Sequence, residues 1–198
     1  MPKSPELCEE IRTEMCNKIL QKSVLYFARN GFSGTKISDL SKYIGIGQGT
    51  IYIYFESKEK LFQEIYKMIN REKDIHQIKL LAKLPIPAKY KIHKLTKEIL
   101  HQLEVEDSFA GMIVLNTEML FEKDDNNSAS GTTYQSELYK YMTKIIVQGQ
   151  KEGSVVSGSP LKLTDYYWGV VYLYALKKLF TTQYEIINSE DLERTILK

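Results

Sequence analysis

Cysteine and tryptophan are almost missing from this sequence: 198 residues hold two Cys and one Trp. Cys8 and Cys16 form no CxxC pair and have no zinc-ligand spacing, so there is no basis for a disulfide framework and the chain reads as reduced and cytoplasmic. No apolar run reaches the length of a membrane span, and no membrane partner is expected. The opening Met1-Pro2-Lys3-Ser4-Pro5-Glu6 lacks the apolar stretch of a signal peptide. β patterns are negligible and no internal repeat is visible. A large surplus of one charge is also missing. Lys plus Arg number 27 and Asp plus Glu 25, for a net charge of +2. That argues against a disordered polyelectrolyte and against a surface coated with basic charge. Nor can a Ser-His-Asp set, a phosphate loop or an HExxH motif be assembled. His76, His93 and His101 are not read as metal ligands. No enzyme activity, cofactor or metal is expected.

What is present is uneven. There are 14 Tyr, and the near-neutral total hides a gradient. Residues 11–60 carry eight basic groups (Arg12, Lys18, Lys22, Arg29, Lys36, Lys42, Lys58, Lys60) against four acidic ones (Glu14, Asp39, Glu56, Glu59), whereas 61–198 balance. A solvated helix face gives the same surplus, so charge matters only if the segment has a shape that delivers it to phosphates.

The shape is legible. Apolar residues from Ile11 to Ala28 recur at helical steps over about 9–30, and Asn30-Gly31 reads as a helix end with Gly in the left-handed region. Thr35 is placed to cap a short helix through Tyr43, striped by Ile37, Leu40 and Ile44. Gly45-Ile46-Gly47 breaks the chain, a third helix runs from Gln48 to Phe55, and Ser57 can cap a fourth. Two short helices joined by a Gly-containing turn, behind a longer one, form a helix-turn-helix. Its third helix must bury one face and present the other to base edges. Ile51 and Phe55 supply the buried face, which leaves Gln48, Thr50, Tyr52 and Tyr54 for DNA. The two Tyr rings can also complete the small core while presenting their hydroxyls.

From Ile19 to Leu61, and above all in Gly49-Thr50-Ile51-Tyr52-Ile53-Tyr54-Phe55-Glu56-Ser57-Lys58-Glu59, the chain resembles the DNA-binding domain of TetR-type transcriptional regulators. The resemblance covers about a fifth of the chain. It implies that Thr35 contacts a phosphate, that Gln48, Gly49 and Thr50 meet the major groove, and that Gln48 reads a base, since its amide can pair bidentately with adenine. It further implies backbone or thymine-methyl contacts for Tyr52 and Tyr54, and a phosphate-clamping role for Lys58. Three positions depart from the family pattern. Gly47 stands where a capping Ser or Thr is common, Lys36 adds a candidate phosphate contact, and Lys22 replaces a small residue.

Beyond Leu61 the resemblance is one of architecture. Helices are expected to about Leu84 before Pro85-Ile86-Pro87, over 88–106, 109–123, 133–152 and 160–181, with a short last one capped by Asn188 or Ser189. Polar loops are expected at 124–132 and 154–159. The expected fold is all-α with about nine helices: a helix-turn-helix domain over 1–56, then a helical effector and dimerisation domain over 57–198. The helix over 160–181 is apolar almost all round, so it needs cover from two directions. A second copy is the simplest second cover, with Trp168, Tyr172, Leu176 and Leu179 as its interface. Met112, Asn116, Met119, Tyr139, Met142 and Tyr167 are candidate ligand contacts, although core packing is the commoner reading of such residues. The expected function is a homodimeric, sequence-specific DNA-binding regulator, a repressor released by a small apolar or aromatic effector. The alternatives are an architectural or partner-controlled DNA-binding protein without an inducer, and an enzyme on a borrowed helical fold.

Overall fold

A computed structural model describes residues 4–69, 72–121 and 136–198, with the side chains of 72–75 and 119–121 outside that description. The expected loop 124–132 and Tyr134 lie outside the described residues. Ten helices and one isolated bridge, Val155 with Leu197, make up the described secondary structure, so the expectation of an all-α chain holds. The chain divides into two compact units, Met1–Ile69 and Asn70–Lys198.

The first unit contains α1 (Pro5–Asn30), α2 (Ile37–Ile44), α3 (Gln48–Tyr54) and α4 (Lys58–Ile69). Ser4 opens α1, accepting the Leu7 amide at 3.2 Å. Only the second half of α1 is covered: Ile19, Val24 and Phe27 are buried, while Leu7 and Ile11 are exposed. Gly31 ends the helix at φ +69 but with an extended ψ of 163, so the expected left-handed cap is only half realised. Gly45 does take the left-handed conformation (φ +81, ψ 37), and its amide together with that of Ile46 returns to the Ser41 carbonyl. Ser57 caps α4 through the Lys60 amide at 3.2 Å, and Leu61 and Ile65 are fully buried. Because α4 packs on α1, it belongs by packing with the first unit, beyond the expected boundary at residue 56.

The second unit holds α5 (Glu72–Lys83), α6 (Ala88–Val105), α7 (Asp107–Phe121), α8 (Glu137–Glu152), α9 (Pro160–Phe180) and α10 (Ser189–Glu193). Of the helix expected up to Leu84, residues 58–69 form α4 and 72–83 form α5, and residues 70–71 between them lie outside the described residues. Core side chains come from α6 (Ile92, Leu103), α8 (Met142, Ile145, Ile146) and α9 (Tyr167, Val171, Ala175). The turn between α5 and α6 is tied to α8 by polar groups. Lys91 is fully buried and donates to the Ala82 carbonyl and to Gln148 Oε1, both at 2.8 Å. Burial pushes its amine below the usual lysine range, with Glu152 opposing. Gln148 donates to the Ile86 carbonyl, and Glu152 accepts the Ala88 amide at 2.7 Å. His93 is also tied across the unit, with Nδ1 2.9 Å from Glu193 on α10. The chain end is held too: the Val156 amide donates to the Ile196 carbonyl, and Ile196 is fully buried.

Gly149 lets α8 approach this junction. A Cβ there would lie 2.3 Å from Val155 Cγ2 and 3.1 Å from the Ala88 Cβ. Val155 is itself buried and β-branched, with little freedom to move. Gly149→Ala is therefore expected to destabilise the second unit by about 1–3 kcal/mol through overpacking, read as a lower thermal midpoint despite alanine's better helix propensity.

Candidate nucleic-acid interface

The seven-residue α3 has no capping side chain, because Gly47 occupies the N-cap. Its orientation comes from burial. Ile51 is fully buried and Phe55, at the C-cap, is 6% exposed. Gln48, Gly49, Tyr52 and Ile53 are exposed, while Thr50 and Tyr54 are half-buried. Five of the residues assigned to DNA from sequence therefore share one short helix, with Gln48 at its start, and the two Tyr rings divide between surface and core.

Thr35 and Lys58 make internal contacts, whereas Lys36 is exposed. Lys36, which is exposed, occupies the N-cap of α2, and no side chain caps that helix. Thr35 is 2% exposed and its hydroxyl donates to the Gly31 carbonyl at 2.7 Å, so it fixes the turn after α1 and does not cap α2. The Lys58 ammonium is directed inward. Nζ donates to the carbonyls of Phe32 at 3.0 Å and Thr35 at 3.1 Å, and lies 4.3 Å from the Phe32 ring centroid. Three groups thus hold the lysine, and through it the start of α4 is locked to the α1–α2 turn. Aromatic packing reinforces the lock, with Phe62 4.8 Å from Phe32 and 5.2 Å from Phe27. The exposed Ile53 is not singled out by the sequence pattern, although its position beside the buried Ile51 is enough to place it outside.

In the second unit, a cavity of about 240 Å³ lies among α7, α8 and α9, and its lining includes Asn116, Thr117, Tyr139, Trp168 and Tyr172. Of the candidate ligand contacts, Asn116 and Tyr139 meet there. Met142 and Tyr167 are fully buried core residues instead, with the Tyr167 hydroxyl 3.1 Å from Thr96 Oγ1. Met112 is half-buried outside the lining, and the Met119 side chain lies outside the described residues. The candidate dimer residues also separate. Leu179 is 6% exposed and belongs to the unit's own core, Trp168 and Tyr172 wall the cavity, and Leu176 is half-buried. The outer face of α9 consists of Tyr166, Leu173 and Phe180, seven residues apart and 55%, 47% and 56% exposed. Burial first, and then Glu118, raise the Tyr172 hydroxyl above its ordinary value. Among the described residues no cluster of His, Cys, Asp and Glu could hold a metal, and no helix is long and apolar enough to cross a membrane.

Residues 19–65 match the family model described as bacterial regulatory proteins, tetR family. Over 54 residues the chain is 35% identical to the HTH-type transcriptional regulator YhgD of Bacillus subtilis, covering 27% of this chain and 28% of that protein. It is 34% identical over 50 residues to the fatty acid metabolism regulator protein of the same organism, covering 25% and 26%. The chain thus matches only about a quarter of the length of these curated relatives. The fold extends further. A Clostridium perfringens protein described as a fatty acid metabolism regulator aligns over 90% of this chain and 94% of its own, with a TM-score of 0.59 at 20% identity. The HlyIIR mutant protein aligns over 94% and 98%, with a TM-score of 0.65 at 15% identity. The sequence match to the tetR family of bacterial regulatory proteins is thus carried by residues 19–65, and the fold is shared with these solved structures.

Proposed function

We propose that the protein is a dimeric, sequence-specific DNA-binding regulator, acting as a repressor that a small effector releases from its operator. The observation that carries this reading is α3, which is seated through Ile51 and Phe55 and displays Gln48, Gly49, Tyr52 and Ile53 outward. Gln48 is the candidate for base readout. Lys36 and the half-buried Thr50 are the candidates for phosphate contact. Lys58 supports the reading by holding the α1–α2 turn. The family matched by residues 19–65 is one of DNA-binding regulators and not enzymes, and we extend this to the chain itself, together with residence in the cytoplasm.

Dimerisation is supported by the outer face of α9. Tyr166, Leu173 and Phe180 form an apolar stripe that a second copy would cover, replacing the interface expected from sequence. The cavity supports a small, largely apolar effector, oriented by Asn116 and stacked against Tyr139 or Trp168. By population shift, an effector that binds the DNA-incompetent arrangement a few kcal/mol more tightly would release the operator.

Four outcomes test these statements. In anisotropy titrations against duplexes from upstream of its own gene, Gln48→Ala should lose about 1–3 kcal/mol of discrimination at one base pair. Lys58→Ala should instead lower the thermal midpoint, having lost hydrogen bonds from a charged donor worth about 1.5–3 kcal/mol each. A salt slope reduced by about one at unchanged stability would return Lys58 to the phosphates. Leu173→Glu should convert a dimer to a monomer in sedimentation and weaken operator binding; an unchanged mass places the interface elsewhere. A thermal-shift screen of small aromatic compounds should return a stabiliser whose effect Asn116→Leu removes. A flat screen favours the alternative of control by a protein partner.

A further inference from the structure

Ile53 is the most exposed large hydrophobic side chain among the described residues, at 73%. A single exposed aliphatic residue ordinarily needs no explanation. Its place on α3 gives this one significance. At about 100° per residue, Ile53 stands roughly 180° from the mean direction of Ile51 and Phe55, the two residues that seat the helix. It therefore projects furthest from the domain along the direction in which α3 is presented. Helical side chains lean toward the N-terminus over the residue four positions earlier, and here that residue is Gly49. A Cβ at Gly49 would meet nothing within 4 Å, so no neighbouring side chain shields Ile53 on that side. Gln48 and Tyr52, both exposed, supply the polar groups beside it.

The side chain has four carbons and no donor or acceptor. In the major groove, base edges offer hydrogen-bonding groups at every pair except for one apolar element, the C5-methyl of thymine. An aliphatic tip pressed onto any other edge would remove water from polar groups and return nothing. We infer that Ile53 is a specificity-determining residue that packs on a thymine methyl, so that each operator half-site contains a thymine facing the middle of α3. The inference rests on the DNA-binding reading above. It adds a contact that is apolar and insensitive to salt to the polar contacts of Gln48.

The test uses the full chain and an operator recovered from randomised duplexes. Each thymine of a half-site is replaced in turn by deoxyuridine, which removes one methyl and keeps every hydrogen-bonding group. The wild-type protein should lose about fourfold in affinity at one thymine per half-site, the value of one buried methyl group. Ile53→Ala should lose a similar factor on the thymine operator and show no further loss with deoxyuridine at that position. This variant changes an exposed residue to a better helix former, so folding is retained and checked by circular dichroism. A deoxyuridine scan that leaves wild-type affinity flat overturns the inference while leaving the DNA-binding reading intact. So does an Ile53→Ala protein as sensitive as the wild type. Failure to recover any duplex overturns both.

Discussion

A seven-residue helix has no stability of its own in water, since nucleation costs more than so few hydrogen bonds return. Everything that α3 displays therefore depends on the burial of Ile51 and Phe55 against the preceding helices. No side chain caps its start, and a glycine occupies its second position. The contact that forms the helix also fixes its rotation, so the same two side chains decide which residues face outward. Lys58 and the Phe27, Phe32 and Phe62 cluster hold the framework beneath that contact.

Much of this is legible in the sequence because it is local. Gly45 is required where the backbone turns left-handed, and the four-residue spacing of Ile51 and Phe55 is by itself enough to name the buried face. The roles of Thr35 and Lys58 are not legible in this way. Their partners are backbone carbonyls of Gly31, Phe32 and Thr35, and every residue has a carbonyl. Only the path of the turn brings these particular ones within reach. A lysine facing phosphate and a lysine facing carbonyls look the same in a sequence.

α9 is opaque for a different reason. A helix apolar on all sides carries no periodic signal to say which side faces which neighbour. Sequence groups Trp168, Tyr172 and Leu179, but packing separates them. Leu163, Tyr167, Val171, Ala175 and Leu179 run along the buried side, while Trp168 and Tyr172 wall a cavity. In the same unit, Lys91 is enclosed, although lysine is ordinarily a surface residue. Its partners come from the end of α5 and from α8, the latter distant in the chain, and pattern alone does not identify them.

Tyr166, Tyr167 and Trp168 are consecutive, yet they serve three environments: the exterior, the core and the cavity wall. Because all three ride on a single rod of hydrogen-bonded backbone, a small rotation about the long axis of α9 is a common coordinate for all of them. An aromatic group wedged against Trp168 would turn Tyr166 and Leu173 through the same angle, with no relay of intermediate side chains. Within this unit, the shortest route from interior to surface is the peptide chain itself.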